Sequence, residues 1–360
     1  MKTFILNHWK SISLFLCIFS LGIFTFMGVY VHKIYHNPLK ESSVNNSSII
    51  IIPRGSTFDS VTAKIRDKGL LPHPRLYDFL AARLEVYNRV QSGEFQIQHH
   101  WNTYELLKFL VSGKSLLHRV TIPEGNNFKD SAARLIMANL ANRDIIFPLK
   151  HNLELIRKTG VPEAKSLEGF LFPETYFFSR AQTEKQILSV MIAQYRKVFN
   201  DNFRMRAKEI GMNEYDLLKL ASIIEKETGE DSERSIIASV FHNRLKLRMR
   251  LDSDPTVIYG IEDFDGNLTR KHLRKHSPYN TYRIYGLPPT PISNPGKASI
   301  LGALYPAENN FLYFVARGDG SSKFSKTLSE HNKAVWFFQK IRKNRQAMSK
   351  KRKKRTSSKL

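Results

Sequence analysis

Residues 217–229 read LLKLASIIEKETG. Leu217, Leu220, Ala221, Ile224 and Thr228 recur at helical spacing, so one face of a helix is apolar and must be covered by the rest of a folded domain. Gly229 follows as a C-terminal cap. At about 100° per residue, Glu225 and Glu227 lie about 160° apart, one on either side of that face. They are therefore not an obvious paired-carboxylate site on one helix. One glutamate can enter a cleft while the other meets solvent. On spacing alone, two solvated carboxylates around Lys226 are the favoured description.

Downstream, residues 232–249 (SERSIIASVFHNRLKLRM) place Ile236, Ile237, Val240, Phe241 and Leu245 on one stripe, with Ser232 as N-cap. This predicts a second helix packed on the first, with His242 in a structural role. In Leu251–Gly260 (LDSDPTVIYG), Pro255 pushes Asp254 toward extended or turn geometry. Asp252 and Asp254 lack a third ligand at useful spacing, so no metal site is expected. Residues 277–296 are dense in proline, which predicts a rigid, shaped loop. Asn280, Thr281, Tyr282 and Asn294 in it offer the neutral hydrogen-bonding groups and flat rings that sugars require.

Upstream, two stretches repeat at an offset of 70 residues, Ile52–Phe58 (IPRGSTF) and Ile122–Phe128 (IPEGNNF). Each reads as a short strand, a Pro-x-Gly turn and an amphipathic helix. Residues 93–98 alternate like a strand, and 103–111 like a short helix. Units of this kind resemble LysM-like modules, which bind N-acetylglucosamine-containing glycans. A spacer domain fits the same pattern.

At the start, Ile12–Val31 (ISLFLCIFSLGIFTFMGVYV) carries no charge. Twenty residues at about 1.5 Å each span about 30 Å, the thickness of a bilayer's hydrocarbon core. No small-x-small cleavage site follows at 31–35, so an uncleaved single-pass anchor is expected. Lys2 and Lys10 before the span balance Lys33 and Lys40 after it, which leaves orientation open. A polar linker follows through Ser48.

The chain has 360 residues, 56 Lys and Arg against 32 Asp and Glu, and one cysteine, Cys17. A single cysteine excludes an internal disulfide, CxxC redox chemistry and thiolate zinc clusters. Of the net charge of +24, +4 falls in residues 1–40 and +11 in 340–360. The body is only mildly basic, so no nucleic-acid partner is expected; the tail reads as disordered and solvated, with binding to anionic lipid or another polyanion as the alternative.

Taken together, Glu168–Tyr176 (EGFLFPETY), Ala221–Thr228 (ASIIEKET), Asp254–Val257 (DPTV), Tyr279–Tyr282 (YNTY), Gly286–Pro289 (GLPP), Pro291–Ile292, Tyr313–Ala316 (YFVA) and Glu330–His331 resemble the endolytic murein transglycosylase (YceG-like) family. The sequence departs from it at Thr290, where the family often has Gly, and at Asp252–Ser253, where it often has Gln-Thr; these changes are expected to alter groove detail without touching the acid. The resemblance implies an α+β protein: a cytoplasmic start at 1–11, an inner-membrane anchor at 12–31, a linker at 32–47, a LysM-like α+β region at 48–165, a mixed α/β catalytic domain at 166–339 in the periplasm, and a basic tail at 340–360. It implies cleavage between MurNAc and GlcNAc of peptidoglycan strands, leaving 1,6-anhydroMurNAc ends and helping to terminate glycan elongation. It implies no cofactor, and cell-wall synthases as partners. By motif position Glu225 matches the catalytic Glu, with Glu227 in support and Asn280, Thr281, Tyr282 and Asn294 expected at the substrate. A non-catalytic peptidoglycan-binding scaffold is the alternative.

Overall fold

The computed structural model describes residues 2–40, 46–227 and 230–341. The expected cap at Gly229 and the tail from 342 onward lie outside the described residues. The elements in chain order are α1 (Lys2–His36), β1 (Ser47–Ile52), α2 (Phe58–Asp67), α3 (Pro74–Arg83), β2 (Gly93–Gln98), α4 (Thr103–Ser112), β3 (His118–Thr121), α5 (Phe128–Met137), α6 (Arg143–Ile146), α7 (Leu153–Thr159) and β4 (Thr175–Phe178). There follow α8 (Glu184–Val198), α9 (Asp201–Glu209), α10 (Glu214–Glu227), α11 (Arg234–Lys246), α12 (Asp254–Tyr259), α13 (Arg270–Arg274), α14 (Lys297–Leu304), β5 (Tyr313–Ala316), β6 (Ser322–Ser325) and α15 (Leu328–Val335), which runs on into a π turn, Trp336–Ile341. The strands form three two-stranded sheets. Contacts divide the chain into two units, Met1–His118 with Phe177–Gln182, and Arg119–Tyr176 with the remainder.

In the first unit α1 contains an apolar segment, Leu14–His32, with a mean hydropathy of 2.3 and no residue buried by the protein. The helix continues to His36, so the start of the expected linker is helical. After it the order is strand, two helices, strand. β1 and β2 pair antiparallel, with Ile50 opposite Phe95 and Ile52 opposite Gly93. Alternation along β1 turns Ile50 and Ile52 inward, where Val61, Ile65, Tyr77, Phe95, Ile97, Leu106 and Leu110 complete a core.

The repeat is real in three dimensions. Both copies are a strand, a turn closed on Pro53 or Pro123 by the backbone N–H three residues on, and a helix. Gly55 (φ 82°) and Gly125 (φ 75°) occupy the left-handed region that the turn demands. Thr57 and Asn127 then cap α2 and α5 through their side-chain oxygens. The second copy falls in the second unit.

The core of that second unit is built on α10. Leu217, Leu218, Leu220, Ala221, Ile223 and Ile224 are all fully buried, against Ile237, Ala238 and Phe241 of α11 and Ile300, Ala303 and Leu304 of α14. α11 begins at Arg234 with no side-chain cap. The expected cap, Ser232, lies in a 3-10 turn and bonds to Glu230 instead. His242 Nε2 donates to Ala303 O over 2.9 Å, a structural bond as expected. Glu168, almost wholly buried, gathers the Phe128 N–H, the Tyr259 hydroxyl and the Lys150 ammonium.

Candidate active site

The two glutamates at the end of α10 enter different surroundings, as their azimuths require. Glu225 turns toward the second repeat. Its Oε2 accepts the Gly296 N–H at 2.9 Å, and Oε1 stands 3.9 Å from the Arg234 guanidinium. Arg234 is itself fixed by Ser299 and by Asp231. Glu124, from the Pro-Glu-Gly turn, packs so tightly on Gly296 that a Cβ there would collide with its carboxylate. Burial and the neighbouring Glu225 charge push the Glu124 carboxyl above the usual range, partly offset by Arg234. Lys226 reaches Gly125 O at 3.3 Å. Glu225 thus ties the 296 loop, and Lys226 the second repeat turn, to α10.

Glu227 opens instead into a cavity of about 590 Å3. Arg244, Asp252, Asp254, Tyr282, Tyr313 and Asn332 share its lining. The Ser253 hydroxyl donates to Glu227 Oε1. Burial pushes the Glu227 carboxyl up to about 7; the Asp254 charge acts in the same direction, against the Ser253 bond and the Arg244 charge. A carboxyl that half-titrates near neutrality both gives and takes a proton there. Asp252 pairs with Arg244 at 3.0 Å, and Arg244 is anchored by three carbonyls, Arg250, Leu251 and Leu312. Tyr282 donates to Asp254 Oδ1 at 2.7 Å. Asp254 opens α12 with Pro255 at the first turn, where a missing N–H costs nothing.

Of the residues expected at the substrate, only Tyr282 lines this cavity. Asn280 is 1% exposed, and its amide donates to the carbonyls of His272, Leu273 and Lys275 while its oxygen accepts the Tyr282 N–H. Thr281 is bound to Thr256 and to the Ser253 N–H. Asn294 accepts from Leu171 N and donates to Asn126 O and Ser131 Oγ. These three are buried and bonded within the protein. Of positions 252 and 253, where the sequence departs from the family, Ser253 donates to Glu227 and Asp252 pairs with Arg244. Glu124, Gly125, Arg234 and Gly296 were invisible as a cluster, although the repeat marked the turn that supplies two of them.

A second hollow of about 1240 Å3 shares Leu328 and Asn332 with the Glu227 cavity and is walled by Phe324, Trp336 and Phe337. Among the described residues no group of three or more His, Cys, Asp and Glu is placed to hold a metal.

Residues 50–336 match the model of the YceG-like family. The chain belongs to this family. It is 31% identical over 300 residues to the endolytic murein transglycosylase of Bacillus subtilis (strain 168), covering 79% of this chain and 83% of that protein. It is 27% identical over 318 residues to the endolytic murein transglycosylase of Streptococcus pneumoniae serotype 2 (strain D39 / NCTC 7466), where the match spans 57% of the relative's length. The crystal structure of a yceG-like protein from Listeria monocytogenes superposes with a TM-score of 0.55 at 32% identity, covering 80% of this chain and 98% of that one. Glu225, Glu227 and the other residues lining the Glu227 cavity named above fall within the matched 50–336 stretch of this YceG-like chain.

Proposed function

We propose that this YceG-like protein is an endolytic murein transglycosylase, a lyase that cuts within peptidoglycan strands between MurNAc and GlcNAc, and that Glu227 is its general acid and base. The observation that carries the residue assignment is the Glu227 carboxyl, half-protonated near pH 7 at the wall of an open cavity. A glycosidic oxygen leaves only when protonated. Glu227 supplies that proton as the C1–O bond breaks. The resulting carboxylate then takes the proton of the MurNAc C6 hydroxyl as its oxygen closes on C1, giving a 1,6-anhydro ring and returning the enzyme to its starting state. One carboxyl group suffices, because the nucleophile is the sugar's own hydroxyl. Glu225, the expected acid by motif position, has both oxygens directed at protein groups and lines neither hollow.

The aromatic hollow beyond Leu328 and Asn332 suits the continuation of a glycan, with the exposed Trp336 and Phe337 offering faces for sugar rings. The strand–helix–helix–strand order of the first unit supports a LysM-like role in glycan binding or spacing. The apolar α1 fits a single-pass membrane anchor; we place the anchor in the inner membrane and the two units in the periplasm, beside the synthases that make the strand.

A second reading follows from Asp252 and Asp254, which also line the cavity. A second carboxylate that activated water would make the protein a hydrolase. Mass spectrometry of the products from purified peptidoglycan decides: anhydro ends support the lyase, and reducing, hydrated ends replace it with a hydrolase. Strands retained intact would leave a scaffold.

A further inference from the structure

The first unit is fastened to the anchor within the span itself. Tyr30, in the last turn of the apolar segment Leu14–His32, packs against the small-domain core. Its ring meets Phe79 of α3 edge-on at 5.9 Å. Seven residues further along, Asn37 bonds to His73, the residue before α3, at 3.2 Å. The next contacts are backbone bonds from Leu39 N to Trp101 O and Lys40 N to His99 O.

These two ties fix a direction. From Tyr30 to Asn37 the anchor climbs about 10 Å, and from His73 to Phe79 helix α3 covers about 9 Å. Helix α3 therefore runs antiparallel to α1, from the far side back toward the span. Arg83, at its end, lies about 6 Å beyond Phe79 in that direction. Interfacial helices sink about 5–10 Å into the headgroup boundary, the same range. The groups at this end suit that layer. Phe79 is 54% exposed and Tyr87 45% exposed despite their size. Arg83 and Arg89 are exposed cations, against Asp78 and Glu85. Aromatic rings and long cationic side chains are the residues that anchor at a bilayer interface.

Resting on the reading of α1 as a membrane anchor, we infer that the end of α3 and the turn Leu84–Arg89 are seated in the phospholipid headgroup layer of the bilayer that α1 crosses. The small domain is then a surface-docked module, with Phe79 and Tyr87 as its wedge and Arg83 and Arg89 on the headgroup phosphates.

The test uses the full chain in phosphatidylethanolamine/phosphatidylglycerol vesicles. In a Cys17→Ser background, single cysteines replace Phe24, Asn46, Phe79 or Tyr87, and each carries a bimane probe. Asn46 is exposed and sits beside His99, at the end tied to Lys40, away from the span. Lipids with a shallow doxyl group should quench the probes at 79 and 87 at least ~3-fold more than the probe at 46, and a deep doxyl group should quench the probe at 24. Quenching at 79 and 87 no greater than at 46, with 24 still quenched, overturns the docking and leaves the anchor standing. An unquenched probe at 24 removes the anchor and the docking together. Both wedge positions are exposed, so a folding defect at one leaves the other to decide.

Discussion

The Ser253 hydroxyl is bonded to the Glu227 carboxylate in the same cavity where Tyr282 is bonded to Asp254. Ser253 keeps the carboxyl in one orientation, while Asp254 opposes its ionisation. Glu227→Gln retains the bond to Ser253 and removes the proton. Glycan cleavage should fall by at least ~10²-fold with folding intact, the low end for a general acid–base group. Glu225→Gln keeps an acceptor for Gly296 and should retain activity within ~10-fold. Muropeptide release measured on both variants checks the assignment; the reverse order would return the role to Glu225.

Activity should decline as pH rises through about 7, because the first step needs the protonated Glu227. Asp254→Asn removes a charge that raises this carboxyl, so the alkaline limb should move to lower pH. A pH–rate profile whose alkaline limb is unchanged in the variant would dissociate Asp254 from the acid.

The same carboxyl links pH to stability. The folded protein keeps the Glu227 proton up to about pH 7, whereas an unfolded glutamate loses it near 4.5. The contribution is fully present below about 4.5 and is lost as pH rises through about 7. Glu227→Gln has no such loss. Its Tm relative to wild type should rise between pH 5 and pH 8, as read by thermal denaturation across that range.

The buried Asn280 amide donates to the carbonyls of His272, Leu273 and Lys275, and each such bond contributes about 0.5–1.5 kcal/mol. Asn280→Ala should lower Tm by several degrees. Were Asn280 a substrate ligand instead, KM would rise with Tm unmoved.

Trp336 is 57% exposed in the hollow next to the Glu227 cavity. Trp336→Ala should raise KM for long glycan strands several-fold with little change in kcat. Equal kinetics on long strands would remove this hollow from the binding path.

The apolar first helix, the repeat and the α10 helix were legible because each depends on local periodicity or on turn chemistry that a single glycine enforces. The split between Glu225 and Glu227 was legible too, since a helix fixes azimuth. Which of the two meets the cavity was not, because that depends on Ser253, Asp254 and Gly296, which arrive from 26 to 71 positions away. What Asn280 and Asn294 bind within the fold was not legible for a related reason. An amide suited to a sugar hydroxyl is equally suited to a backbone carbonyl, and only the folded loop shows which one it has found.

Helix α1 passes without a break from the apolar segment to His36, and Leu39 is bonded to Trp101 three residues later. That leaves no swivel between anchor and small domain. A turn of the span about its own axis is a turn of the domain by the same angle, so any partner that grips the helix inside the bilayer also steers the module outside it.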